Sequence, residues 1–249
     1  MKKILPFLLF LFALSFNAQV ISSSKWSDLF SYNNVLAIRE DDGKLIAATE
    51  NGIFYYTPAT GELSKLSKAN GLHEVKISAF DYNPETKIGL VGYANGSMDV
   101  ITPEGITYVV DIPIASGYTG NKKINHISIS GNLAVISVGY GVSIFKLDKK
   151  EFGDSSFFMV NGVYEAAKEA VIKDNLLYVV TATGLKSHEM DVTFPIFSSS
   201  NNVAPGNFTQ ISGTSTIAYS NANTVKFGDG SSFANLPKSF TDVRGVIVP

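Results

Sequence analysis

From Val35 onward the chain alternates short apolar runs with small, polar turns, and the pattern recurs at nearly constant intervals. Five segments share one form, an apolar run, a small-residue turn and a second run: Lys44–Tyr56, Lys87–Ile101, Asn132–Leu147, Asn175–Ser187 and Thr216–Phe227. With Gly52, Gly96, Gly141, Gly184 and Asn223 as the ruler, successive spacings are 44, 45, 43 and 39 residues. A shorter strand-like piece precedes each hairpin: Val35–Arg39, Ile77–Tyr82, Ile124–Ser130, Glu169–Lys173 and Phe208–Ser212. Runs such as LAVISV and LLYVV are continuously apolar, as strands covered on both faces must be. Only Val163–Ala170 has a helical flavour, and it reads as the lead-in to a strand or one helical turn.

Three or four short strands per ~40–45 residues is the period of a β-propeller blade. Asn51-Gly52 and Asn95-Gly96 are expected to supply the positive φ of tight hairpin turns. The rival is an antiparallel β-sandwich, but four near-equal intervals argue against coincidence. The expected fold is therefore an all-β propeller with about five blades visible. Asp242–Val248 reads as the first strand of a sixth, so the ring is expected to be incomplete; the alternative is a compact five-bladed ring.

Composition agrees with a sheet-rich chain: 45% hydrophobic but only 17% charged, with polarity drawn largely from Ser, Thr, Asn and Gly. Met1-Lys2-Lys3 followed by the uncharged run Ile4–Phe16 reads as a secretory signal peptide, residues 1–18, with small Ala18 at the cut. The run is short of the ~20 residues that span a bilayer. Phe16 sits where a small residue is usual. Residues 19–249 are then the propeller domain. Without Lys2 and Lys3 the balance is 18 basic to 22 acidic residues. No basic patch stands out, so nucleic acid is not an expected partner. The absence of Cys removes disulfides, thiolate metal sites and thiol nucleophiles.

The chemistry looked for is mostly missing. Gly139-Tyr140-Gly141 lacks the third glycine of a phosphate loop and reads as turn glycines. His73, His126 and His188 are widely spaced and are not expected to share a metal. Asp81, Asp99 and Asp111 are the carboxylates in strand-like positions that a glycosidase pair would need. Glu40-Asp41-Asp42-Gly43 and Asp229-Gly230 read as turns rather than calcium loops. Phe54-Tyr55-Tyr56, Tyr118, Tyr140 and Tyr164 fall near turns or rims, where exposed rings could stack on sugars or partners. Lys122-Lys123 beside Asn121 could meet a phosphate or acidic sugar. No catalytic, cofactor or metal residue is assigned, and no enzyme activity is expected.

Lys25-Trp26 through Asn33-Asn34-Val35, then ATENGIFYY, then Asn70-Gly71-Leu72 resembles the two-component-regulator type of propeller repeat, with Ala48-Thr49 in place of its "GT". Lys122 through His126, Gly131-Asn132, Gly139–Val142 and Glu151–Asp154 are similar to the N-terminal propeller of the PorZ-like accessory proteins of type IX secretion. The likeness covers about residues 20–185. It implies a non-catalytic propeller at the cell surface of a Gram-negative bacterium, working with the sortase-complex proteins PorU, PorV and PorQ and binding an anionic lipopolysaccharide. The alternative is the periplasmic, carbohydrate-sensing propeller of a hybrid two-component regulator. A glycan hydrolase using Asp81 or Asp99 is the third reading.

Overall fold

The computed structural model describes residues 30–248; the leader expected over residues 1–18 lies outside them. Residues 31–248 form five four-stranded antiparallel sheets, each a meander in chain order. The first blade is β1 (Val35–Asp41), β2 (Lys44–Thr49), β3 (Gly52–Thr57) and β4 (Glu62–Leu66). The second is β5 (Ile77–Asn83), β6 (Ile88–Tyr93), β7 (Met98–Thr102) and β8 (Gly105–Val109). A short helix, α1 (Asp111–Ile114), leads to the third: β9 (His126–Ser130), β10 (Leu133–Val138), β11 (Gly141–Lys146) and β12 (Glu151–Phe157). A two-stranded hairpin follows, β13 (Met159–Val160) and β14 (Val163–Tyr164). The fourth blade is β15 (Glu169–Lys173), β16 (Leu176–Val180), β17 (Gly184–Glu189) and β18 (Asn201–Pro205). The fifth is β19 (Gln210–Ser212), β20 (Ile217–Ser220), β21 (Val225–Gly228) and β22 (Phe233–Asn235).

Four apolar cores lie between the five blades. Ile46, Ile53, Phe80 and Tyr93 join the first two, and Leu90, Ile124, Ile136 and Phe145 the second and third. Val135, Ile144, Leu177 and Val179 join the third and fourth, and Val180, Leu185, Ile217 and Tyr219 the last two. Each inner blade thus buries both faces, which is why its middle strands are continuously apolar. The repeat expected from the turn spacing is the blade itself.

The first strands follow one another as β1, β5, β9, β15 and β19, and all five line a central channel of about 930 Å³. Side chains at the channel wall tie each blade to the next. Asp81 accepts the Ile129 N–H at 2.6 Å, Asn125 Nδ2 donates to the Ala167 carbonyl at 2.8 Å, and Glu169 accepts the Ile211 N–H at 2.8 Å. The Ile129 and Ile211 N–H groups belong to first strands, whose outer edge an antiparallel ladder leaves unpaired, and Ala167 lies just before β15. The last tie reaches the C-terminal segment. Arg244–Val248 lines the same channel, and the Val248 N–H donates to Ser212 Oγ at 3.3 Å. The segment expected as the first strand of a sixth blade occupies the place of one beside β19, without ladder pairing.

One turn expectation is corrected. Neither Asn51 nor Gly52 has positive φ; the left-handed pair is Asp42 (φ 50) and Gly43 (φ 75), between β1 and β2. Gly52 is needed for closeness instead, since a Cβ there would stand 2.8 Å from the Leu66 carbonyl oxygen. Gly96 does have positive φ, at 90°.

The first two blades are also joined by charge. Lys87 Nζ donates to Asp41 at 2.5 Å, and Tyr82 Oη donates to the other oxygen of that carboxylate at 2.7 Å. Lys87 and then Tyr82 hold Asp41 below the ordinary carboxylate value. Burial, and next the bond to Asp41, push the Tyr82 phenol up to about 12. A raised folded value contributes stability that is complete below the ordinary phenol value near 10 and is lost as pH climbs through about 12. Ultraviolet titration should therefore show Tyr82 ionising after the exposed tyrosines, and Tyr82→Phe should remove one phenol from the late ionisation that it shares with the other buried tyrosines.

Candidate functional site

In a meander blade the start of the first strand, the turn between the second and third, and the end of the fourth all fall on one face. The connections between blades lie there too. This face gathers most of the chemistry singled out from the sequence, and loops set on rigid sheets are where binding groups usually sit.

Its most developed part is an aromatic rim on the third blade. Tyr118, from the connection before β9, packs edge-on against Tyr140 at 5.1 Å and against Tyr164 at 5.0 Å. Phe157, at the end of β12, stacks on Tyr140 at 4.7 Å. Tyr118 and Tyr140 are buried, while Phe157 and Tyr164 are 40% and 39% exposed. The β13–β14 hairpin adds the exposed Met159 and Val163. Tyr140 Oη shares a 2.6 Å hydrogen bond with Ser143 Oγ, which bonds onward to Ser155 Oγ. Burial raises the Tyr118 and Tyr140 phenols, so both stay neutral. The result is a rigid aromatic base carrying an apolar, solvent-facing crown. Phe54-Tyr55-Tyr56 goes elsewhere: Tyr55 packs in the first inter-blade core, and Phe54 meets Tyr32 edge-on at 4.9 Å.

Spacing alone could not assemble this rim. Tyr118, Tyr140 and Tyr164 sit in three separate segments, and Phe157 was not singled out. Its signal was present in Phe157-Phe158, where one ring turns inward to the core and the other outward.

A second group surrounds Asp99, whose side chain is completely buried. It accepts the His73 backbone N–H at 2.9 Å, the His73 Nδ1–H at 2.7 Å and the Tyr93 hydroxyl at 2.5 Å. The partly exposed His73 ring stacks on Tyr108 at 4.7 Å with a 12° interplanar angle. Tyr108 Oη then donates to Glu74 at 3.0 Å, and Lys68 pairs with the other Glu74 oxygen at 3.3 Å. Asp99 thus anchors the connection between the first two blades.

The remaining candidates are dispersed. Asp81 lines the channel, but Arg39 Nε holds one oxygen at 2.6 Å and the Ile129 N–H holds the other. Asp99 does not line the channel, and Asp111 opens α1. The three carboxylates therefore do not face one another across a substrate-sized gap. His126 lies on β9 and His188 on β17. His188 bonds the Glu189 carbonyl and Ser199 Oγ. Among the described residues no group of three or more His, Asp or Glu could hold a metal ion. Lys122 is committed to the end of α1, donating to the Pro113 and Ala115 carbonyls at 2.7 Å each; Lys123 is exposed.

The family model described as TSS9, PorZ, N-terminal beta-propeller domain matches residues 45–193, more than half of the chain. The chain belongs to the PorZ N-terminal β-propeller family. The matched span contains the aromatic rim and the Asp99 group, and ends before the fifth blade. No curated protein matches the chain. Among solved structures it is similar to PorZ of Porphyromonas gingivalis, described as an essential bacterial surface component of the type-IX secretion system. The TM-score is 0.65 at 19% identity, over 82% of this chain and 29% of that one. It is also similar to the extracellular domain of BT4673 from B. thetaiotaomicron in two structures. One gives a TM-score of 0.60 at 13% identity, over 84% of this chain and 28% of that one. The other gives 0.59 at 14%, over 81% and 27%. The chain therefore spans under a third of the length of these relatives, which share its fold. Among the described residues no helix is long and apolar enough to cross a membrane.

Proposed function

We propose that this PorZ-type propeller is a non-catalytic binding and scaffold module of the type IX secretion machinery, exported by its leader to the surface of a Gram-negative bacterium. Its partners are surface proteins of the sortase complex and an anionic lipopolysaccharide. The observation that carries this reading is the blade-three rim. Phe157, Met159, Val163 and Tyr164 present apolar and aromatic surface on a firmly packed base, which suits a protein partner or the face of a sugar ring. Asp81 holds backbone and Arg39 instead of standing free for acid–base work, which favours binding over hydrolysis.

The test is binding of the purified chain to the sortase-complex proteins and to anionic lipopolysaccharide. Replacing both Phe157 and Tyr164 by Ala removes about 2 kcal/mol or more of contact energy, so affinity is expected to fall at least ~30-fold. The unfolding midpoint should fall only modestly, because both rings are partly exposed but pack on Tyr140 and Tyr118, so binding is compared at temperatures where both forms are folded. Unchanged affinity for every partner would sink the assignment to this rim.

The likeness to BT4673, described as a one-component or hybrid two-component system, favours a second reading, an extracellular carbohydrate sensor. Titration with neutral oligosaccharides separates the two. Salt-insensitive binding of neutral sugars with no lipopolysaccharide binding would favour the sensor, whereas an anionic ligand should lose affinity as salt rises.

A further inference from the structure

Four buried side-chain polar atoms have no hydrogen-bond partner among the described residues: His126 Nδ1, Ser137 Oγ, Ser156 Oγ and Glu165 Oε2. All four belong to the seam between the third and fourth blades. His126 pairs with Ser137 across β9 and β10, Ser137 with Val142 across β10 and β11, and Val142 with Ser156 across β11 and β12. Registered partners project from the same face. That face is the one turned to the fourth blade, because Val142 packs in the core shared with Leu177 and Val179. Glu165 closes the seam: its N–H donates to the Phe158 carbonyl, and its Oε1 accepts the Thr183 N–H of the fourth blade at 2.9 Å. Its other oxygen stands 3.9 Å from Lys186 Nζ, too far for a direct hydrogen bond.

We propose that this seam is a built internal hydration site, in which separate buried waters, on either side of Val142, satisfy Ser137 and Ser156, and a water satisfies the free oxygen of Glu165 where the third blade meets the fourth. A charged ligand suits it poorly. A cation would meet the Lys186 ammonium, and an anion the Glu165 carboxylate. Water fits, because it donates and accepts and needs only two to four polar neighbours. Ser137, Ser156 and Glu165 are each more than nine-tenths buried, so bulk solvent does not satisfy them. His126 also lines the channel, so the row ends at the channel wall.

Two measurements on the full chain test this. In a hydrated seam Ser137→Ala and Ser156→Ala each remove a partner of a buried water, and each is expected to lower the unfolding midpoint by about 2–4 °C. In a dry seam the same changes relieve an unpaired hydroxyl, so an unchanged or raised midpoint overturns the proposal. A crystal structure fine enough to place solvent should show water within hydrogen-bond reach of Ser137 Oγ, Ser156 Oγ and Glu165 Oε2. Hydroxyls turned onto backbone carbonyls, with no water between the blades, overturn it as well.

Discussion

Asp99→Ala is expected to destabilise the propeller by about 3–5 kcal/mol, the range found when one partner of a buried charged group is removed. The Asp99 side chain is fully buried and accepts from the His73 backbone, the His73 ring and the Tyr93 hydroxyl. The buried Tyr93 hydroxyl is left desolvated without a partner, at about 1–3 kcal/mol, whereas the partly exposed His73 ring can turn to water. Tyr93 cannot escape by ionising: burial, and then the bond to Asp99, push its phenol far above the ordinary value, so it remains a donor throughout the working range. Asp99→Asn keeps the shape but sets an amide N–H against other donors, so it should recover only part of the loss. Urea unfolding checks this, and a cycle with Tyr93→Phe should show strong coupling, because one hydrogen bond is deleted by both changes. A loss under about 1 kcal/mol would mean that the His73 connection carries no weight in the fold.

That carboxylate also marks where reading the chain from its residues stops. The blades themselves were legible. The runs and turns recurring at Gly52, Gly96, Gly141 and Gly184 are the β2–β3, β6–β7, β10–β11 and β16–β17 hairpins, and Glu169–Lys173 is β15 to the residue. They were legible because a strand buried on both faces must be continuously apolar, a local signal that survives in one sequence. The roles of Asp81 and Asp99 were not. Each looks alike as an isolated acid in a strand. What separates them is a partner far along the chain, the Ile129 N–H for one and His73 for the other. The aromatic rim was half visible, since Tyr118, Tyr140 and Tyr164 each stood near a turn, but only the blade meander brings them together. Helix α1 carried no signal, because four residues with an internal proline show no helical period. At Gly52 the residue type was right and the reason wrong: hairpin chemistry suggested positive φ, whereas the requirement is the closeness of β4.

Gly139→Ala is the second large effect, expected at about 2–4 kcal/mol, toward the upper end of what forcing extra volume into a packed site costs. A Cβ at Gly139 would stand 2.1 Å from the Asn121 carbonyl oxygen and 2.7 Å from Tyr118 Oη. The first neighbour is backbone and cannot rotate away, and the second is the ring beneath Tyr164. φ at Gly139 is not positive, so an alanine meets no conformational strain there and the whole cost is steric. Gly117→Ala is the matched control. It lies in the inter-blade connection that Gly139 packs against, also lacks positive φ, and has nothing within 4 Å of its would-be Cβ. It should be neutral, or slightly stabilising through the lost freedom of the unfolded chain. The two variants make the same chemical change, so thermal unfolding of the pair isolates the contact with Asn121. Gly139→Ala should also push Tyr118 against Tyr140 and Tyr164, weakening partner binding at temperatures where the chain is still folded. A variant that melted early yet bound normally would show that the buried tyrosines support the blade without shaping the rim.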